Sequence, residues 1–335
     1  MTDEAKNSAA TPENMELSMR LEGIFTPYAV KHRQKFYKGA DATARFVHYT
    51  TAEAALEIIR SKRLWMRNAS SMSDYREVEL GHEILVKYLH DKLKRPEFFA
   101  ALDACAQGAA QEALDLFDQW WSDIQWSTYI ASSSEHDDSE DLNGRLSMWR
   151  AFGGRAARVA IVMNVPAYSA GATALNLVFS PVAYLKEEEA HAEIDATVLS
   201  IRENCDFLGS LDRSVLVGSV FNMLLAGVTC LKHEGFREER EWRVLYAPKR
   251  NPSPLMESST KIIEGIPQII YKIPLDATLS DTVADLDLAR IFDRLIIGPS
   301  EHPWVMYEAF KAALGEAGVA DAGARVRISA IPIRA

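Results

Sequence analysis

The chain reads as an α+β protein with a mixed or antiparallel central sheet and large helical insertions. Two observations lead there. Short strand-like runs, such as residues 45–49, 158–163 and 295–298, are scattered at uneven spacing. The helical stretches between them differ widely in length, which does not fit the regular alternation of a parallel βαβ array. There is no internal repeat and no low-complexity block.

Taken in order, residues 1–14 are polar and read as a tail, and residues 15–37 read as helix with a break at Pro27. Residues 45–49 form a strand. Thr50 or Thr51 can cap the helix that follows, with Glu53 in its first turn. Residues 64–66 are a second strand and 68–74 a polar loop, with Asp74 and Glu77 placed as a capping box for a helix over 74–93. Another helical stretch runs from Pro96 to about Asp123. Residues 126–133 read as strand, 135–141 as a solvated acidic loop, and 142–152 as helix stopped by Gly153-Gly154. Strands over 158–163 and 175–185 precede helices over 187–208 and 213–232. A strand over 236–246 and a Pro/Ser-rich connector over 251–257 follow. The C-terminal part reads as strands over 269–273, 295–298 and 326–331 with helices near 286–292 and 304–317. These elements divide into a tail and helix (1–40), a main α+β domain (41–250) and an αβ extension on the same core (251–335).

With 335 residues, 48% of them apolar and 25% charged, the chain can bury a large core. A net charge of −10 argues against general binding to nucleic-acid backbone or anionic lipid. Three widely spaced cysteines fit a reducing compartment better than a disulfide framework. No signal-peptide pattern and no run of 18 apolar residues is present, so a cytoplasmic location and no membrane span are expected.

Most chemical motifs are missing: there is no Walker-type loop, no dinucleotide fingerprint, no His-Glu-x-x-His, no Cys-x-x-Cys and no nucleophile elbow, and no metal is expected. The stretch that stands out is Phe-Arg-Glu-Glu-Arg-Glu-Trp-Arg-Val-Leu-Tyr over residues 236–246. As a strand it sets Glu239, Glu241, Arg243 and Leu245 on one face, and Arg240, Trp242, Val244 and Tyr246 on the other. Two carboxylates about 7 Å apart beside a guanidinium suit acid/base work, but on pattern alone a solvated strand face comes first. Three further segments carry polar residues. His48 shares a face with Phe46 and reads either as a ligand-facing imidazole or as a half-buried core histidine. The loop after the second strand collects Asn68, Ser70, Ser71, Ser73 and Asp74. The Ser147-Met-Trp149-Arg150 run offers a ring for stacking and a guanidinium for phosphate, or a core tryptophan and an ion-pair donor.

Together these segments resemble a bacterial family known only as domain-of-unknown-function family 2971. The shared features are a His-Tyr-Thr strand (48–50), a Leu-Trp-x-x-Asn strand (64–68), a Ser-x-Trp-Arg helix (147–150) and a Phe-x-x-Glu-x-Glu-Trp-Arg strand (236–243). The family's usual Asn-Asp-Pro-x-Glu loop is here Ser73-Asp74-Tyr75-Arg76-Glu77, and residues 135–141 look like an insertion.

The order of parts is also similar to that of ADP-ribosyltransferases, which implies NAD as substrate. On that likeness Glu241 would stabilise the charge developing on the ribose and Glu239 would orient or deprotonate the acceptor. His48, with Tyr49 and Thr50 beside it, would hold the ribose or adenosine side. Ser132 or Ser133 would brace the catalytic carboxylate, and Tyr75, Tyr129 or Trp149 would stack on nicotinamide. Arg45, Arg150 or Arg243 would neutralise the pyrophosphate. Three functions compete: an NAD-consuming transferase or glycohydrolase, in biological terms a toxin or phage-defence effector; a non-catalytic binding or regulatory module for a small-molecule or nucleotide ligand, with Trp65, Trp149 and Trp242 packing the interior; and a metal-dependent nuclease. The enzymatic reading requires the early and late strands to lie side by side, so that His48 and Glu241 face one cavity.

Overall fold

The computed structural model describes residues 12–38, 42–71, 76–151, 156–263 and 265–332. In chain order the elements are α1 (Pro12–Phe25), α2 (Pro27–Phe36), β1 (Thr43–Thr51), α3 (Ala52–Ser61), β2 (Arg63–Asn68), α4 (Arg76–His90), α5 (Lys94–Cys105), α6 (Ala109–Ser127) and β3 (Tyr129–Glu135). There follow α7 (Leu146–Ala151), β4 (Arg158–Pro166), α8 (Ala170–Ala174), β5 (Val178–Pro181), β6 (Ala183–Tyr184), α9 (Glu187–Glu203), α10 (Cys205–Gly209), α11 (Arg213–Thr229), β7 (Leu231–Lys232) and β8 (Glu241–Tyr246). The chain ends with β9 (Glu257–Ile263), β10 (Ile266–Pro274), α12 (Leu288–Ile291), β11 (Phe292–Ile297), α13 (Pro303–Glu316), α14 (Ala322–Arg325) and β12 (Val326–Ile328). Helices and a mixed, mostly antiparallel sheet make this an α+β fold, as the scattered strands predict.

The chain divides into two compact units. The first draws on Met1–Lys35, Asn68–Thr128 and Ser180–Arg237 and is mainly helical. Its core packs Tyr88, Phe98, Leu102, Phe117, Val220, Phe221 and Leu224, apolar faces that no helix could bury alone. Helices α4 and α11 approach so closely that a Cβ on Gly81 would lie 2.7 Å from the Val228 Cα. Strands β6 and β7 form a small parallel pair here.

The second unit, Phe36–Arg67, Tyr129–Phe179 and Glu238–Ala335, carries the central sheet. Its strand order is β12-β11-β4-β1-β3-β2-β10-β9, with β8 paired to β3 and to β5. The ladder between β11 and β12 is parallel, and β1 runs antiparallel to both β3 and β4. One face buries Ile59, Met66, Ile161, Phe292, Leu295, Ile297, Phe310 and Leu314. The other carries Val47, Tyr49, Met148, Trp149, Ala160 and Val162. Thr51 caps α3 by accepting the Ala54 N–H at 3.1 Å, and Ala55, Ile58 and Ile59 are the buried stripe of that helix.

Several expectations change, each for a local reason. The stretch from Pro96 to Asp123 is two helices, because Gly108 turns left-handed (φ 77°) between α5 and α6. Trp126 belongs to the end of α6 rather than to a strand. The single strand expected over 175–185 is α8, β5 and β6 in succession. Strand β9 carries Glu257, Ser258, Ser259, Thr260 and Lys261, with no apolar alternation to announce it; its hydrogen bonds to β10 make it a strand. The Asp74–Glu77 capping box, Tyr75 and the Gly153-Gly154 stop fall outside the residues whose side chains are described.

Candidate functional site

Strand register fixes which side chains can meet. In antiparallel pairs, directly opposed residues share a face. Ser134 lies opposite both Val47 of β1 and Glu241 of β8, and Ser132 lies opposite Arg243. Ser132, Ser134, Glu241 and Arg243 therefore share the face of Val47 and Tyr49. His48, Thr50, Ser133 and Trp242 point to the other face. Strands β1 and β8 do not adjoin, since β3 lies between them. The meeting of His48 and Glu241 over one cavity is not what this register gives.

On the Glu241 face the geometry is tight. Ser132 Oγ donates to Glu241 Oε1 at 2.5 Å. Arg243 grips the same carboxylate as a fork, Nε to Oε1 at 2.9 Å and a terminal nitrogen to Oε2 at 3.1 Å. Glu241 and Arg243 are both buried, at 7% and 4% exposed. A carboxylate so placed has its charge largely matched by the guanidinium, which suits a buried structural pair. Serine bracing of the acid, expected at Ser132 or Ser133, is made by Ser132.

Glu239 is not on the strand. Residues Glu234–Glu239 form a 3-10 turn, Arg240 takes a left-handed φ of 43°, and the strand begins at Glu241. The strand thus starts two residues too late for its alternation to pair Glu239 with Glu241. The cause is Arg145, whose guanidinium donates to the carbonyls of Glu135 (2.7 Å), Glu238 (3.0 Å) and Glu239 (3.2 Å) and to Glu140 (2.9 Å). That clamp holds the Glu238–Arg240 backbone out of extended geometry, and Arg240 itself pairs with Glu140 at 2.5 Å.

His48 stands where the sheet forks. Strand β3 is hydrogen-bonded to β8, β1 and β2, and the β1–β3 ladder stops at Val47. One residue on, His48 Nδ1 takes the Ser132 carbonyl at 2.8 Å. A carbonyl only accepts, so this nitrogen carries the proton and Nε2 holds the lone pair. Burial pushes the His48 pKa below its ordinary value, opposed by the Ser132 hydrogen bond. The imidazole remains half-buried rather than sealed.

The remaining residues divide between packing and ion pairing. Trp149 is buried, packs edge-on to Tyr49 at 4.9 Å and donates its indole N–H to the Asn143 carbonyl at 2.8 Å. Tyr49 is buried too; it accepts the Arg145 backbone N–H at 2.8 Å, and burial pushes its pKa up to about 12. Tyr129 lies in the opposite core against Tyr271. Neither Trp149 nor Tyr129 presents a free ring for stacking. Trp242 is fully buried among Phe36, Tyr37, Phe46 and Phe179. Trp65 is half-buried beneath Lys261. Thr50 and Ser133 are half-buried, and Arg150 is exposed on α7.

The acidic loop is solvated at Asp137, Asp138 and Ser139, while its ends are tied down by ion pairs. Arg45 pairs with Asp138, Asp141 (2.7 Å) and Asp293 (3.3 Å), while Arg294 reaches Asp141 at 2.9 Å. His136 is buried against Asp141 at 2.9 Å, and burial lowers its pKa. Arg45 is thus held by carboxylates rather than offered to a pyrophosphate. Arg145 and Glu140 were invisible in the sequence, because their partners are carbonyls and arginines up to 100 residues away. Among the described residues no group of three His, Cys, Asp or Glu side chains is arranged to hold a metal ion.

These features define an α+β protein with a forked, mostly antiparallel sheet and a buried acid–arginine pair at its centre. Residues 148–244 match the model of the family described as "Protein of unknown function (DUF2971)", which bears out the resemblance read from the motifs. The match takes in Trp149, Arg150 and the strand through Glu241 and Arg243. No curated protein and no solved structure matches the chain. Among the described residues no helix is long and apolar enough to cross a membrane.

Proposed function

We propose that the protein is a non-catalytic binding or regulatory module in which Glu241, Arg243 and Ser132 hold the sheet together. One observation carries this reading: both oxygens of the Glu241 carboxylate accept from the Arg243 fork, on the face away from His48. An acid meant to stabilise a growing positive charge gains nothing from a guanidinium already neutralising it. The test is incubation with NAD and whole-cell extract, reading nicotinamide release for the wild type and for Glu241→Gln. The binding reading expects no release from either protein and a lower melting temperature for the variant. Release by the wild type that the variant loses would overturn it.

A second reading, NAD-consuming ADP-ribosyl transfer or glycohydrolysis, is favoured by the 2.5 Å bond from Ser132 to Glu241 and by the His48 Nε2 lone pair at the fork. On that reading Glu241 acts on the ribose and the same assay gives release that depends on Glu241. A phage-defence or toxin role belongs to this second reading only.

A further inference from the structure

A cavity of about 290 Å³ opens in the second unit where β4, α12, β11 and α14 come together. Four arginines line it, Arg290, Arg294, Arg325 and Arg327, with a single acidic residue, Asp293. That is a concentration of positive charge in a chain whose net charge is −10.

The sequence brings the arginines together by three local devices. Asp293 sits at a register shift between β11 and β4, and such a bulge re-aims the side chains on either side of it. Helix α14 ends directly into β12, so Arg325 and Arg327 flank the junction. Arg290 lies in the last turn of α12, next to the start of β11.

What holds each guanidinium decides how much charge is left for a ligand. Arg294 is matched by Asp293 at 2.8 Å and Asp141 at 2.9 Å. Arg325 donates to the Phe292 carbonyl at 2.8 Å, and Arg327 to the carbonyls of Ala324 (2.6 Å) and Val326 (3.2 Å). Those acceptors are neutral: they fix the forks in place without cancelling their charge. Among the described residues the Arg290 guanidinium has no hydrogen bond or ion pair, and it is exposed. Three of the lining arginines, Arg290, Arg325 and Arg327, thus keep a charge no carboxylate matches among the described residues, two of them held in place by carbonyls, and Asn164 adds a neutral polar residue to the lining.

We infer that this cavity binds a small phosphate-bearing molecule. Planar guanidiniums match the paired oxygens of a phosphate, and orienting them in advance lowers the entropy lost on binding. The volume lies at the small end of ligand sites, about 300–1,000 Å³, which fits a compact phosphate monoester or free phosphate better than an extended polyanion. The inference supplies a ligand class for the binding reading without resting on it, since nicotinamide release and anion affinity are separate measurements.

Titration calorimetry on the full chain tests it, with ribose 5-phosphate, inorganic phosphate and ribose as probes, each at low and high salt. Binding of ribose 5-phosphate, weakened by salt and absent for ribose, is expected. Equal affinity for inorganic phosphate assigns the site to the phosphate group alone, and tighter binding of the ester assigns it to the monoester; both support the inference. Arg290→Gln should keep the unliganded melting temperature, because that side chain holds nothing, and weaken binding roughly fivefold or more. Arg327→Lys, which keeps the charge but loses the fork, should weaken it as well. No heat with either phosphate in millimolar excess, or affinity unchanged in Arg290→Gln, would overturn the assignment. So would binding of a single-stranded RNA oligonucleotide without any binding of ribose 5-phosphate.

Discussion

His48 and Glu241 hold the same residue from opposite faces of the sheet: the imidazole takes the Ser132 carbonyl at 2.8 Å and the carboxylate accepts from the Ser132 hydroxyl at 2.5 Å. Strand β3 is thus the common support of both, and the two groups are tied through its backbone. The imidazole replaces a ladder bond where β1 leaves β3, and the acid–arginine pair locks β3 to β8. Their roles are separable by experiment.

The Glu241–Arg243 pair should behave as a buried ion pair. Glu241→Gln takes a carboxylate from a guanidinium that stays buried and should cost about 3 kcal/mol in a urea melt. A double variant, Glu241→Leu with Arg243→Met, should recover much of that loss, since replacing both charges by apolar groups is close to neutral. Additive losses in the double variant would show that the two side chains act independently.

Acid should weaken the fold partly through His48. Unfolded, its imidazole takes a proton near the ordinary value; folded, burial delays this to lower pH. Between those values the unfolded chain binds more protons, so stability is full above about pH 6.5 and falls as pH drops. His82 and His136, also lowered by burial, add to the slope. Melting temperatures measured from pH 7.5 to 5 should fall less steeply for His48→Gln than for the wild type. Parallel curves would remove His48 from the account.

Arg145 should matter more than its position between a loop and a short helix suggests. Arg145→Ala leaves three backbone carbonyls without their donor and should destabilise by about 2 kcal/mol. Limited proteolysis should then cut near Glu238–Arg240, the turn this side chain clamps. An unchanged cleavage pattern would mean that the turn holds itself.

Gly144 should not tolerate a side chain. Its φ of 67° is left-handed, and a Cβ would lie 2.7 Å from the Trp149 ring. Gly144→Ala should cost more than about 1 kcal/mol and perturb the near-ultraviolet dichroism of Trp149. A variant as stable as the wild type would show that the ring can move aside.

Much of the scaffold was legible in local pattern. The 158–163 strand, the Thr-capped helix after β1 and the Pro27 break follow from side-chain periodicity and from the missing proline N–H, both short-range effects. The motif order was legible too, and the family it resembles is the one whose model matches residues 148–244. Strand β9 was not, because its polar residues become a strand only through pairing with β10. Whether His48 and Glu241 meet was not legible for a related reason: alternation within β1 says which residues share a side, as His48 and Phe46 do, but not which side a distant strand will present to it.

From its residues alone, this protein was set to be an α+β fold with an acidic surface balance and an acid–arginine motif on a late strand. Tertiary structure decided the rest: that Glu241 spends its charge on Arg243, that His48 looks the other way, and that four arginines meet around one cavity. The reason is physical. Local sequence determines backbone preference over a few residues, whereas the face a side chain occupies and the charge left to it depend on register and on partners a hundred residues away.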